Sequence, residues 1–294
     1  MKRTRPLLQD PPAALLARHR LERLPMVTWV RRVKRPRQAE VFLLSYPKTG
    51  RTWLRVMMGQ LLARHFGDPE LAGPDFRDRS PRATGVPRIV AKHDGSPQKK
   101  TAAEINPDRG EFAGCRVVLL VRDLRDTAVS NYFQVTRREH RFEGELSSFL
   151  RWPRGSVDSM LRYYNVWAAQ RRVPRAFQLV RYEDLQRDTP GELDRVAQFL
   201  GLRDVAPATI DAAVAHGSFS SMRSREAARP ADGTPLAAGR AGDPESFKTR
   251  RGRVGGYVEY LSPGDVDWLN RRIEAELDPF FGYGAATWPG PMGR

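Results

Sequence analysis

Ser45-Tyr46-Pro47-Lys48-Thr49-Gly50-Arg51-Thr52-Trp53 is the stretch on which the reading of this 294-residue chain turns. A short apolar run, Val41 to Ser45, leads into it. A helical pattern with Leu54, Met58, Leu61, Leu62 and His65 on one face leads out. Strand, glycine-bearing turn and helix, in that order, aim backbone N–H groups and the positive end of a helix dipole at one point, which makes an anion site. Lys48 and Arg51 add charged donors, and the hydroxyls of Thr49 and Thr52 add neutral ones. The plain alternative is a turn with solvated charges, and the density of phosphate-type donors between Lys48 and Thr52 weighs against it. The loop is not a Walker A motif, because Lys48 precedes Gly50 instead of following it.

Outward from this loop, strand and helix signals alternate. Arg88 to Ala91 reads as a second strand. Arg116 to Val121 is a continuous apolar run of the kind that is buried on both faces in a parallel sheet. A helix is expected from Asp126 to about Arg137, a strand over Phe177 to Val180, a helix from Leu185 to Leu200 stopping at Gly201, and a last helix over Asp265 to Leu277. The expectation is an α/β fold: a single domain with a central, mostly parallel sheet flanked by helices, and a P-loop-like phosphate-binding strand, loop and helix. Residues 1–38 form a basic N-terminal arm, 39–284 the domain and 285–294 a C-terminal tail. Within the domain, Arg223 to Gly256 is rich in Ala, Gly, Pro and Arg and reads as a mobile lid.

A second anion site follows the buried run. In Arg122-Asp123-Leu124-Arg125-Asp126-Thr127-Ala128-Val129-Ser130, Arg122 stands where a central strand ends and Ser130 lies within the next helix. Both can face one ligand at the carboxyl edge of the sheet, where open α/β sheets bind ligands. The alternative is a basic helix start with surface ion pairs such as Arg125 with Asp126. Of the five histidines, His19 lies in the arm, and His65, His140 and His216 read as packing, solvated and structural. His93, in Ala91-Lys92-His93-Asp94-Gly95, ends a strand at the same edge as the two loops.

These segments resemble the sulfotransferases that use 3′-phosphoadenosine-5′-phosphosulfate (PAPS). The first loop is similar to their pattern YPKxGTTW, with Thr49 for Ser and Arg51 for Thr. The second resembles RNxKDxAVS, with Asp123 for Asn. The resemblance implies that Lys48, Thr49, Gly50, Arg51 and Thr52 hold the 5′-phosphosulfate, that Lys48 neutralises the oxygen bridging sulfur and phosphorus, and that Trp53 stacks on adenine. It further implies that Arg122 and Ser130 bind the 3′-phosphate. Arg181-Tyr182-Glu183-Asp184 resembles the YED segment, whose Tyr meets adenine. Ser218-Phe219 resembles the SF segment, with Gly217 for the usual Thr. Arg250-Arg251-Gly252 resembles the RKG signature over the 3′-phosphate, with Arg251 keeping the charge of the Lys. The family places its base in a KxH segment between the two phosphate sites. His93 is the corresponding residue, although Lys92 adjoins it and Ala91 holds the usual Lys position. Together the matches span most of residues 41 to 260 and share the family's order. They imply transfer of a sulfuryl group from PAPS to a hydroxyl or amine, leaving adenosine 3′,5′-bisphosphate (PAP), with no metal required.

Composition bounds the rest. The apolar fraction is 40%, the charged fraction 29% and the formal net charge +16, which fits a folded protein that attracts polyanions. This charge leans towards an acidic or polymeric acceptor and leaves peripheral membrane contact through the arm open. A small-molecule kinase and a basic nucleic-acid-binding protein are the competing readings. The first requires carboxylates to hold Mg²⁺. The second requires basic and aromatic residues interleaved on one element, whereas here the informative cations sit in strand-to-helix loops, so no specific nucleic acid is expected. The lone cysteine, Cys115, reads as a buried core thiol and excludes a disulfide framework. No apolar stretch is long enough to span a membrane, and Arg18, His19 and Arg20 interrupt the apolar run from Ala13 to Leu24, so a cytoplasmic location is expected.

Overall fold

The apolar runs become strands because both of their faces are covered. The computed structural model describes residues 41–74, 85–228, 240 and 242–284. In chain order its elements are β1 (Val41–Ser45), α1 (Arg51–Phe66), β2 (Ile89–Lys92), β3 (Arg116–Val121), α2 (Leu124–Phe133), α3 (Leu146–Leu150), α4 (Val157–Gln170), β4 (Ala176–Arg181), α5 (Tyr182–Arg187), α6 (Thr189–Phe199), α7 (Pro207–His216), α8 (Phe219–Ala227) and α9 (Pro263–Glu276). The four strands form one sheet in the order β2-β1-β3-β4, and every neighbouring pair is parallel. On β3, Val117, Leu119 and Val121 pack with Met160, Tyr163, Tyr164 and Trp167 of α4 and with Leu269 and Ile273 of α9. Val118 and Leu120 face the other way, towards Leu54, Met58 and Leu62 of α1 and Leu193 and Val196 of α6. A strand buried on both sides has no polar face to alternate, so its sequence is apolar throughout.

The register sets the place of the site. Ser45 pairs with Leu120, Leu44 with Lys92, and Val121 with Arg181. The residues that follow the strands, Tyr46, His93, Arg122 and Tyr182, therefore emerge along one carboxyl edge. All described residues belong to one unit spanning Gln38–Arg294. The expected arm and tail, and residues 229–239 and 241 of the expected lid, lie outside the described residues.

Several expectations are corrected. The helix expected from Leu185 to Leu200 is two helices, α5 and α6. Asp188 breaks it by accepting from the Gly191 N–H at 3.0 Å, with Pro190 in the first turn of α6. The start of the lid segment is helical as far as Ala227. Cys115 is half-buried instead of fully buried, because it precedes β3 at the amino end of the sheet. No helix among the described residues is long and apolar enough to cross a membrane.

Candidate functional site

A cavity of about 770 Å³ opens at the carboxyl edge of the sheet. Every residue that the sequence assigned to the catalytic and cofactor-binding set lines it, with the exception of Thr49. Thr49 is fully buried, and its hydroxyl donates to the Tyr46 carbonyl at 2.9 Å, so the side chain braces the loop instead of facing the cavity. The loop bends sharply: Lys48 has φ 72° and Gly50 φ 92°. At Gly50 a Cβ would stand 2.6 Å from the Tyr182 ring, so the close approach of loop and aromatic requires glycine. No side chain caps α1, and no acidic residue occupies its first turn. Its first N–H groups thus look into a cavity edged by Pro47, Lys48, Arg51 and Thr52.

The Lys48 ammonium donates to the Gln134 carboxamide oxygen at 3.1 Å. Burial, reinforced by Lys248, Arg138 and Arg250, pushes Lys48 down to about 7, with Glu226 opposing. A cation so placed is poorly solvated and gains strongly from an arriving anion.

Arg122 follows β3 and lines the cavity in the second of the two loops. Tyr164 fixes its backbone: the hydroxyl accepts from the Arg122 N–H at 3.0 Å and donates to the Arg122 carbonyl at 2.9 Å. The Arg122 guanidinium lies 4.4 Å from the centre of the Tyr182 ring, donates to the Arg253 carbonyl at 2.7 Å and pairs with Asp126 at 3.3 Å. The surface pair envisaged between Arg125 and Asp126 is not the one formed. Arg125 pairs with Asp123 at 2.6 Å, and Asp123 also caps α2 by accepting from the Arg125 N–H. Asp126 instead accepts from the N–H groups of Gly255 and Tyr257, at 2.9 and 3.0 Å, which ties the chain after Gly252 to α2. Arg250 reaches Glu245 at 2.8 Å and the Tyr260 hydroxyl at 2.6 Å, while Arg251 reaches Glu259 at 3.3 Å.

Aromatic side chains line the same cavity as the two loops. Trp53 and Tyr182 meet edge to face at 5.7 Å, and the Trp53 Nε1–H donates to the Gly217 carbonyl at 2.8 Å. Phe219 is 48% exposed at the rim. The departure at Gly217 has a steric cause: a Cβ there would lie 2.3 Å from the Met57 side chain.

His93 Nδ1 lies 3.0 Å from the Ser45 carbonyl oxygen and 3.4 Å from the Ser45 hydroxyl. A carbonyl only accepts, so Nδ1 carries the proton and Nε2 keeps its lone pair. Burial, together with Arg51, Arg55 and Lys248, drives the imidazole down to about 3, against the pull of the Ser45 carbonyl. The His93 imidazole is therefore neutral throughout the physiological range. Lys92 does not line the cavity; its ammonium sits between the Phe42 and Phe112 rings and pairs with Glu111 at 3.3 Å.

Sequence reasoning missed Lys248, Arg55 and Asn131. All three line the cavity, and no motif marks them. Lys248 lies in the Gly- and Pro-rich lid segment. Its backbone N–H donates to the fully buried Glu226 at 2.6 Å, which fixes its position.

The chain matches the family model of the sulfotransferase domain over residues 38–281. It is 28% identical over 198 residues to 3-alpha-hydroxysteroid sulfotransferase of Cavia porcellus, covering 64% of this chain and 67% of that protein. It is 22% identical over 265 residues to flavonol 3-sulfotransferase of Flaveria bidentis, covering 81% of each. Among solved structures, mouse sulfotransferase SULT7A1 complexed with PAP superposes with a TM-score of 0.54 at 20% identity, covering 80% of this chain and 83% of that one. Retinol dehydratase in complex with androsterone and PAP gives 0.58 at 18% identity, covering 85% and 82%. These two share the fold. With a family match that runs from before β1 to beyond α9, the chain belongs to the sulfotransferase family and is an enzyme of sulfuryl transfer.

Proposed function

We propose that the sulfuryl donor is PAPS and the acceptor group a hydroxyl or amine, with Lys48 and His93 as the catalytic pair. The observation that carries this reading is the shared cavity: the uncapped α1 terminus with Lys48, the Arg122 and Ser130 receptor, the Trp53 and Tyr182 wall, and His93 all open into it. A nucleotide with a phosphate at each end of its ribose matches two anion receptors separated by aromatic rings. The glycine cradles at Gly50 and Gly252 fit the same ligand, since each lets the chain approach a ring that a Cβ would strike.

In this reading His93 Nε2 takes the proton of the acceptor hydroxyl as the acceptor oxygen bonds to sulfur. The bond from sulfur to the bridging oxygen breaks, and its electron pair stays on the 5′-phosphate of PAP. Lys48 and the α1 amides stabilise the charge that builds there. Trp53 and Tyr182 hold the base, and Arg122, Ser130, Arg250 and Arg251 hold the 3′-phosphate. The segment from Arg223 to Gly256 serves as a lid that closes on the bound nucleotide and excludes water.

The test is calorimetry with PAP and with ATP–Mg²⁺, followed by incubation with PAPS and an acceptor panel read by mass spectrometry. The reading requires PAP to bind and ATP–Mg²⁺ not to. Phosphoryl transfer from ATP would overturn it.

A further inference from the structure

The cavity wall that runs from His93 to Lys48 can be followed contact by contact. The His93 carbonyl accepts from the Ser96 N–H at 3.1 Å and the Ser96 carbonyl from the Lys99 N–H at 3.0 Å, a pair of turns that brings Gln98 to the cavity. Gly155 packs on the Gln98 backbone: its φ is 73°, and a Cβ there would stand 2.1 Å from the Gln98 carbonyl oxygen. Both conditions require glycine. The Gly155 N–H donates to the Lys100 carbonyl at 2.9 Å, and the Gly155 carbonyl accepts from Asn131 Nδ2 at 2.8 Å. Asn131 follows Ser130 on α2, and at the end of that helix Gln134 accepts from the Lys48 ammonium at 3.1 Å. His93, Gln98, Asn131, Gln134 and Lys48 all line the cavity. The wall between the proposed base and the proposed cation is thus made of carboxamides.

One of the three is fully engaged and two are not. Gln134 accepts from Lys48 through Oε1 and donates to Glu139 through Nε2 at 3.0 Å. Asn131 is 1% exposed, and its Nδ2 is held at Gly155. A carbonyl only accepts, so the oxygen is the atom of that amide left over. Asn131 Oδ1 is buried with no hydrogen-bond partner among the described residues, and Gln98 Oε1 is in the same condition. Buried carboxamide oxygens are matched by a protein, water or ligand donor in nearly every folded protein.

The aliphatic lining lies elsewhere. Val214 and Met222 line the cavity where they pack against Trp53, on the side proposed for the nucleotide base. An alcohol with a single hydroxyl would spend it on His93 and leave Asn131 and Gln98 facing hydrocarbon, which costs binding at each oxygen.

We infer that the acceptor is a polyhydroxylated ring compound of the sugar or cyclitol class. One hydroxyl gives its proton to His93 Nε2 as its oxygen takes the sulfuryl group, and two others donate to Asn131 Oδ1 and Gln98 Oε1. This inference rests on the donor reading above, and it names an acceptor chemistry different from the steroid in the name of one relative.

The experiment uses the full chain and PAPS with two matched pairs of acceptors, read by mass spectrometry: myo-inositol against cyclohexanol, and glucose against tetrahydropyran-2-methanol. Each pair keeps a ring and one hydroxyl and differs in the others. In at least one pair the polyol should exceed its partner in kcat/KM by about a hundredfold, roughly tenfold for each oxygen matched. Gln98→Met and Asn131→Leu each remove one acceptor oxygen with little change in size. Each should lower that ratio by about tenfold and leave PAP affinity, measured by calorimetry, unchanged. Lost folding or lost donor affinity lowers both members of a pair equally and does not move the ratio. Asn131→Leu also removes the bond to Gly155, so Gln98→Met decides the matter if the Leu variant fails to fold. Equal rates within both pairs, preference for the simple alcohol, a ratio unmoved by Gln98→Met, or no transfer to any member while PAP binds would overturn the inference and leave the donor reading intact. Failure of PAP itself to bind would overturn the donor reading and the inference with it.

Discussion

His93 Nδ1 and the carbonyl oxygen of Ser45 lie 3.0 Å apart, which fastens the imidazole to the last residue of β1. Lys48 follows that residue on the same loop. A single strand end therefore sets the position of both His93, the proposed base, and Lys48, the cation proposed to meet the leaving oxygen. Because the carbonyl holds the proton on Nδ1, the lone pair is on Nε2 before any acceptor arrives.

Replacing His93 with Gln should lower turnover by about 10²–10⁴-fold, the usual contribution of a general base, and leave PAP affinity nearly unchanged. The imidazole, held down to about 3, should show no NMR titration between pH 5 and 8 in the free protein. The same shift makes the fold acid-sensitive. The unfolded chain binds a proton near the ordinary 6.5 and the folded one does not, so this contribution to stability is complete above 6.5 and is lost as pH falls towards 3. His93→Gln should therefore lose less stability than the parent on acidification. Near-normal turnover of the Gln variant would place the base elsewhere.

Lys48→Met should abolish most transfer and yet raise the melting temperature. The ammonium is lowered from 10.5 to about 7 by burial and by Lys248, Arg138 and Arg250, so its charged form is disfavoured in the folded state. Stability then rises with pH between 7 and 10.5, and the gain from Lys48→Met should be largest below 7 and fade above it. An anion bound beside Lys48 restores the ammonium, so PAP binding at pH 8 should take up a proton. Calorimetry in buffers of different ionisation enthalpy measures that uptake. Binding without proton exchange at pH 8 would contradict the placement of Lys48.

The parts of the molecule that the sequence displayed are those built from contiguous residues. Val41–Ser45 and Arg116–Val121 are legible because strands covered on both faces must be apolar along their whole length. The two proposed phosphate loops are legible because an anion receptor at a strand end draws its donors from a few successive residues. The break at Asp188 was hidden because one residue's side-chain bond to Gly191 interrupts a hydrophobic pattern that otherwise continues. Lys248, Arg55 and Asn131 gave no signal: each comes from a different segment, and only the folded chain brings them around one cavity. The bond from Asp126 to Gly255 joins residues 129 positions apart and leaves no local trace.

Ser130→Ala should weaken PAP binding by roughly 10–100-fold, the equivalent of a charge-assisted hydrogen bond of about 1.5–3 kcal/mol, and spare a ligand that lacks the 3′-phosphate. Arg122→Ala should do the same and lower the melting temperature as well, because Arg122 also holds Asp126 and the Arg253 carbonyl. Comparing PAP with adenosine 5′-phosphate decides it. Equal losses for both ligands would remove these residues from the 3′-phosphate.

Amide exchange should slow around Arg250 when PAP binds, since Arg223 already donates to the Thr249 carbonyl at 2.8 Å and Asp126 holds the Gly255 N–H. Asp126→Asn should weaken that protection by loosening the anchor at Gly255. Exchange unaltered by PAP around Arg250 would rule out a lid.

Gly252→Ala offers a test that separates the site from the fold. Gly252 has φ 63°, where a side chain costs about 1–2 kcal/mol, and a Cβ would stand 2.8 Å from the Phe219 ring. Phe219 is 48% exposed and can swing away without opening the core, so the steric clash should appear as a displaced ring instead of an unfolded protein. If Phe219 covers the base of the nucleotide, that displacement should lower PAP affinity beyond what the backbone strain explains. Gly67→Ala is the control: Gly67 has φ 65°, nearly the same backbone, and nothing lies within 4 Å of its would-be Cβ. The two variants should lose similar amounts of melting temperature, and only Gly252→Ala should lose PAP affinity. Equal affinity for PAP in both variants would show that the approach of Gly252 to Phe219 has no part in binding.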